Sequence, residues 1–103
     1  MRKGEKLYGS YLEKYEIISK HASGGNSEVY KVKDSEGNIC ALKIINKNMP
    51  KEKVKRFKNE IKFCEKNYHK NIIKILDNGI TDDKSQMFFI MPFYEKNFTR
   101  FHE

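Results

Sequence analysis

Three short apolar runs alternate with glycine- and asparagine-rich punctuation over the first half of the chain. Residues 14–21 carry Tyr15, Ile17 and Ile18, residues 28–34 carry Val29 and Val32, and residues 39–46 hold Ile39-Cys40-Ala41-Leu42-Lys43-Ile44-Ile45. Each reads as a strand. Gly24-Gly25 turns the chain within 22–27, and Asp34-Ser35-Glu36-Gly37-Asn38 does so again, because Gly and Asn accept positive φ cheaply. The three runs predict an antiparallel meander. The period then changes. Val54, Phe57, Ile61 and Cys64 recur at spacings of three and four, which is one apolar stripe of a helix opened by Pro50 and ending near 67–69. Lys51, Lys53, Lys55, Lys58 and Lys62 fill the other side. Two further strands are expected around 72–76 and 87–91, with Asp77, Asp82 and Asp83 in exposed turns between them. The predicted class is α+β: a five-stranded antiparallel sheet with one main helix. Residues 1–13 read as an N-terminal extension that docks or frays, 14–91 as the folded lobe, and 92–103 as an aromatic-rich tail after Pro92.

Composition narrows the picture only slightly. A chain of 103 residues makes one small domain with a single core. The net charge of +7 favours an anionic partner without choosing one. Cys40 and Cys64 lie far apart in apolar contexts, so two reduced thiols and a cytoplasmic location are expected. No apolar run approaches membrane-spanning length, and the polar start at residues 1–6 gives no expectation of a signal peptide. No membrane association is therefore expected. The basic run 51–58 would serve a nucleic-acid module only if its charges lined a groove. Its apolar residues are needed for the core stripe instead, so no nucleic-acid partner is expected.

The candidate chemistry starts at Lys43. A lysine inside an apolar strand needs a carboxylate, a phosphate or open water, because it is almost never fully buried unless paired. Ala41 shares its face and leaves room beside it. Upstream, Ser23-Gly24-Gly25-Asn26-Ser27 is a small-residue loop whose backbone N–H groups can approach phosphate oxygens. It joins two strands, which argues against a Rossmann loop, since that needs strand-turn-helix, and no Gly-Lys-Ser/Thr follows, which argues against a Walker loop. Glu60 falls at the edge of the helical stripe. Periodicity allows it either to meet Lys43 or to pair with Arg56 one turn away.

Loop, lysine and helical glutamate in this order resemble the N-terminal lobe of a protein kinase, over roughly residues 14–103. Ala41-Leu42-Lys43 is similar to the V-A-I-K signature, Phe57-Lys58-Asn59-Glu60-Ile61 to the following helix, and His69-Lys70-Asn71-Ile72-Ile73 to the segment behind it. Phe88-Phe89-Ile90-Met91-Pro92-Phe93-Tyr94 resembles the fifth strand and hinge, so 92–103 would be the hinge and the start of a C-lobe. Anchored on Val29, the glycine-rich pattern falls on Ala22, Gly24 and Ser27, so only its middle glycine is kept, and His21 stands where an aliphatic residue is usual.

The resemblance implies ATP as ligand. Lys43 would contact its α- and β-phosphates and pair with Glu60 as catalytic groups. Ala22, Ser23, Gly24, Gly25, Asn26 and Ser27 would surround the phosphates, and Val29 and Ala41 would cover the adenine. Met91 would be the gatekeeper, with the Pro92 carbonyl and the Tyr94 amide reading the adenine edge. It further implies Mg2+, held by ligands of a C-lobe, and a protein Ser/Thr substrate. The chain shows neither H-R-D nor D-F-G, so it is expected to be cut from a longer enzyme and to be inactive alone. Phe93, Phe98 and Phe101, left bare, would drive self-association. The alternative is a pseudokinase-like interaction module without catalysis.

Overall fold

The structure is a computed structural model and describes residues 1–10, 13–66 and 74–93. Six strands and one helix follow in the order β1 (Lys6–Tyr8), β2 (Lys14–Ser23), β3 (Ser27–Lys33), β4 (Ile39–Ile45), α1 (Lys51–Lys66), β5 (Asp77–Ile80) and β6 (Met87–Pro92). All neighbouring strands are antiparallel, and the sheet order is β1-β2-β3-β4-β6-β5. The meander β2-β3-β4 and the helix lie where the residue pattern puts them. The Pro50 carbonyl accepts the first helical bonds, from Lys53 and Val54. Asp34 gathers the β3–β4 turn by accepting from the amides of Glu36 and Asn38.

Two expectations need correction. The sheet has six strands rather than five, because Lys6–Tyr8 of the N-terminal extension pairs with Tyr15 and its neighbours on β2. The strand expected around 72–76 lies instead at Asp77–Ile80. Residues 72–73 are outside the described residues, and 74–76 are not in a strand. Asp77 is therefore not in an exposed turn: it opens β5 and is only 8% exposed.

The sheet has two buried faces. Leu7, Tyr15, Ile17, Tyr30, Val32, Cys40, Leu42, Ile44, Phe88 and Ile90 form the core of one. Val29, Ala41, Ile45, Phe89 and Met91 form the other, which Phe57 and Ile61 of α1 cover. Successive residues of β4 alternate between the two faces, as a pleated strand requires. The edge strands of the sheet meet, so the sheet curls. The Ser10 amide donates to the Asn78 carbonyl at 2.8 Å. The Asp77 carboxylate accepts from the Ser10 hydroxyl at 3.0 Å and the Tyr15 hydroxyl at 2.8 Å. Space here is tight. A side-chain carbon at Gly9 would collide with the Asp77 carboxylate, and one at Gly79 would come within 2.8 Å of the Tyr8 carbonyl oxygen.

Burial, reinforced by the bond to Asp77, pushes the Tyr15 hydroxyl far above its ordinary value. A raised acid favours the folded state while the free tyrosine is still protonated. That stabilisation is present in full below about pH 10 and is lost as pH rises beyond it. Tyr15→Phe is expected to lower stability at pH 7 by about 1–3 kcal/mol, because a buried hydrogen bond to a charged group is removed. The deficit should shrink above about pH 10, as read by urea unfolding across pH. A pH-independent deficit would contradict the assignment.

Candidate functional site

Lys43 lies at the middle of β4. Its backbone partners are Val29 on β3 and Phe89 on β6, so strands on both sides wall its side chain. Only 2% of that side chain is exposed. Its ammonium lies 3.5 Å from Glu60 Oε1 of α1 and 5.9 Å from the centroid of the Phe89 ring. The Glu60 side chain is 34% exposed, so the pair has a dry end and a wet end. Phe57 sets this geometry by packing its ring 5.5 Å from that of Phe89, one helical turn before Glu60. Of the two partners periodicity allowed for Glu60, the structure selects Lys43 over Arg56.

The same face carries the other predicted residues. Val29, Ala41 and Met91 are buried in one cluster with the helix, and Ala22 packs against it. Ala41 and Met91 are directly paired across β4 and β6. The loop residues Ser23, Gly24 and Gly25 are exposed, Asn26 is partly so, and Ser27 is buried. Ser27 pairs with Ile45 at the start of β3, so it is part of the strand rather than of the open loop. Pro92 ends β6 and is partly buried. Tyr94 and His69 lie outside the described residues. Phe93 is not bare: it is half-buried, its ring meets the edge of His21 at 5.2 Å, and the Lys31 ammonium lies 5.4 Å from its centroid.

Sequence reasoning missed two braces of the loop. Glu28 holds Lys20 across the hairpin at 2.6 Å and accepts from the Tyr30 hydroxyl at 2.9 Å. The Lys20 ammonium keeps the Glu28 carboxyl below the usual carboxylate range. Burial and Glu28 push the Tyr30 hydroxyl up to about 12. Asn46 reaches the loop carbonyls from the end of β4. Nothing in the residue pattern marks it, since polar residues at strand ends are common. Cys40 and Cys64 are free, and burial pushes both thiols up, which disfavours a reactive thiolate at either.

A buried ammonium that loses its counter-charge is penalised more than one replaced by an apolar side chain. Glu60→Ala is therefore expected to destabilise the chain by about 1–3 kcal/mol. Lys43→Met should be neutral or stabilising within about 1 kcal/mol. Chemical denaturation of both variants checks this, and the opposite ranking would contradict a buried pair.

The model of the protein kinase domain matches residues 15–103. A Dictyostelium discoideum protein named "Probable serine/threonine-protein kinase" is 32% identical over 87 residues, which are 84% of this chain and 17% of that protein. A crystal structure of the Mycobacterium tuberculosis PknI kinase domain, solved as a point mutant, superposes with a TM-score of 0.70 at 22% identity. That match covers 92% of this chain and 37% of the PknI chain, and it supports the fold. This chain thus spans about a sixth of the curated relative and little more than a third of the solved one. The buried lysine with its helical glutamate, the six-stranded sheet with one helix and the family match over 15–103 agree: the chain belongs to the protein kinase domain family, and it corresponds to the N-terminal lobe.

Proposed function

We propose that the chain is the ATP-binding lobe of a protein kinase that transfers phosphate to serine or threonine hydroxyls of protein substrates. The observation that carries this is the Lys43–Glu60 pair on a face lined by Val29, Ala41 and Met91. Its physical logic is orientation. Strands on both sides restrict the Lys43 side chain, and Glu60 holds the ammonium from the helix side. A cation held in this way has its direction set before the phosphate oxygens of a nucleotide reach it. By the kinase resemblance Val29 and Ala41 are the apolar residues that would cover a base, with Met91 at its inner end. The resemblance of the hinge supports adenine as that base, with Pro92 and Tyr94 reading its edge.

Magnesium does not fit the residues described. Among them, no group of three His, Cys, Asp or Glu side chains could hold a metal ion. The Asp77 carboxylate is taken up by Ser10 and Tyr15, and that of Asp83 by Thr81 and Ser85. We place the metal ligands, the catalytic base and the acceptor site in polypeptide beyond these 103 residues, as the greater length of both relatives suggests. The chain by itself is then expected to bind nucleotide without transferring phosphate. A cytoplasmic setting suits the two free thiols. Any self-association through the tail would fall to Phe98 and Phe101, because Phe93 is packed within the fold.

The experiment is equilibrium binding of ATP to the wild-type chain and to Lys43→Met. Loss of a charge-assisted phosphate contact is expected to weaken ATP at least about tenfold, equivalent to about 1.5–3 kcal/mol. Adenosine, which carries no phosphate, should bind both proteins alike. Equal ATP affinity for the two proteins would favour the interaction-module reading, which the non-glycine residues Ala22 and Ser27 also suit.

A further inference from the structure

The loop between β2 and β3 keeps one of the three glycines of its family pattern, yet its backbone is held at defined points. Asn46 does most of this. Its backbone amide donates to the Asn26 carbonyl at 2.8 Å. Its side-chain amide donates to the Gly25 carbonyl at 3.2 Å and lies 3.4 Å from the Gly24 carbonyl. Three consecutive carbonyls of the loop tip are therefore gathered on one residue at the end of β4. The Gly24 amide closes the turn on the Ser27 carbonyl at 2.8 Å. In a trans peptide the next N–H points opposite to the carbonyl. The N–H groups of Gly25 and Asn26 are thus directed away from the Asn46 side chain, as a set.

We propose that Asn46 is a positioning residue for the phosphate-binding loop. It holds the loop tip in one backbone arrangement, so that the Gly25 and Asn26 amides are ordered before a polyphosphate arrives. Small residues let the loop approach a ligand, but they also leave it with more conformational freedom to lose. A side chain that orders the loop beforehand removes part of that loss from binding. Asn46 lies three residues from Lys43, so the strand that carries the phosphate-facing cation also leads into the residue that sets the loop. Glu28 braces the same hairpin lower down through Lys20. The inference rests on the ATP reading for its ligand, but not for the loop geometry.

Asn46→Asp is the direct test. The shape is kept and the backbone bond to Asn26 can persist, but a carboxylate cannot donate to the Gly24 and Gly25 carbonyls. Asn46→Ala is the second variant and introduces no charge. ATP and adenosine affinities are measured on wild type and both variants, together with hydrogen exchange of the 23–27 amides. Both variants are expected to narrow the preference for ATP over adenosine by about three- to tenfold, leaving adenosine affinity unchanged. Both should also speed exchange without ligand at Gly24, whose amide is hydrogen-bonded to the Ser27 carbonyl, while exchange in β4 and β6 stays as in wild type. An unchanged ATP-over-adenosine ratio in a wild-type background that prefers ATP would overturn the inference. So would unchanged exchange at the loop. A wild-type chain with no preference for ATP would sink the ATP reading instead, and the loop exchange alone would then decide the role of Asn46.

Discussion

An ammonium group with almost no access to water is the constraint from which the rest of this lobe follows. Lys43 is placed in the middle of a central strand, where a neutral apolar residue would fold with less difficulty. The sheet tolerates it because α1 brings Glu60 to 3.5 Å. α1 can do so only because Phe57 and Ile61 seat it on the same face, against Phe89 and the rest of that core. Core packing and site geometry are thus one problem. The pair adds little net stability, since desolvation offsets most of its attraction. Its value lies in the fixed direction of a charge at a half-open edge.

The β5 edge of the sheet supports that arrangement. Asp77 joins the N-terminal segment to β5 through Ser10 and Tyr15, and Asn78 next to it donates to Glu65 near the end of α1 at 2.9 Å. The helix is therefore anchored at two places: by its apolar stripe on the sheet and by a polar contact to the edge strand. Glu60 lies within the stripe, between Phe57 and Ile61, one turn before the polar contact. The N-terminal strand is accordingly part of the lobe's construction rather than an appendage.

The strong local signals were legible in the residues. An apolar run interrupted by one lysine, a stripe at spacings of three and four, and a turn built on Asp34 each point to one structure only, and all three are present. The sixth strand was not legible, because Lys6-Leu7-Tyr8 buries one apolar side chain, and one position carries no periodicity. The displaced fifth strand failed for the opposite reason. Residues 72–76 are apolar apart from Lys74, whereas Asp77–Ile80 reads as a turn. Edge pairing with β6 and the bonds collected by Asp77 outweigh its low strand propensity. In the site, charge and burial identified Lys43 and narrowed Glu60 to two partners. Asn46 escaped notice because its role depends on where three backbone carbonyls point, which side-chain patterns do not encode.

The central claim is that Lys43 is a ligand-facing cation and not merely a tolerated core lysine. The most direct measurement is chemical labelling by an ATP analogue that bears an amine-reactive acyl phosphate, with the modified residue located by mass spectrometry. Buried Lys43 is predicted to be labelled ahead of the exposed lysines of α1, with labelling suppressed by excess ATP and not by adenosine at equal concentration. Labelling spread over the exposed lysines and indifferent to ATP would contradict it.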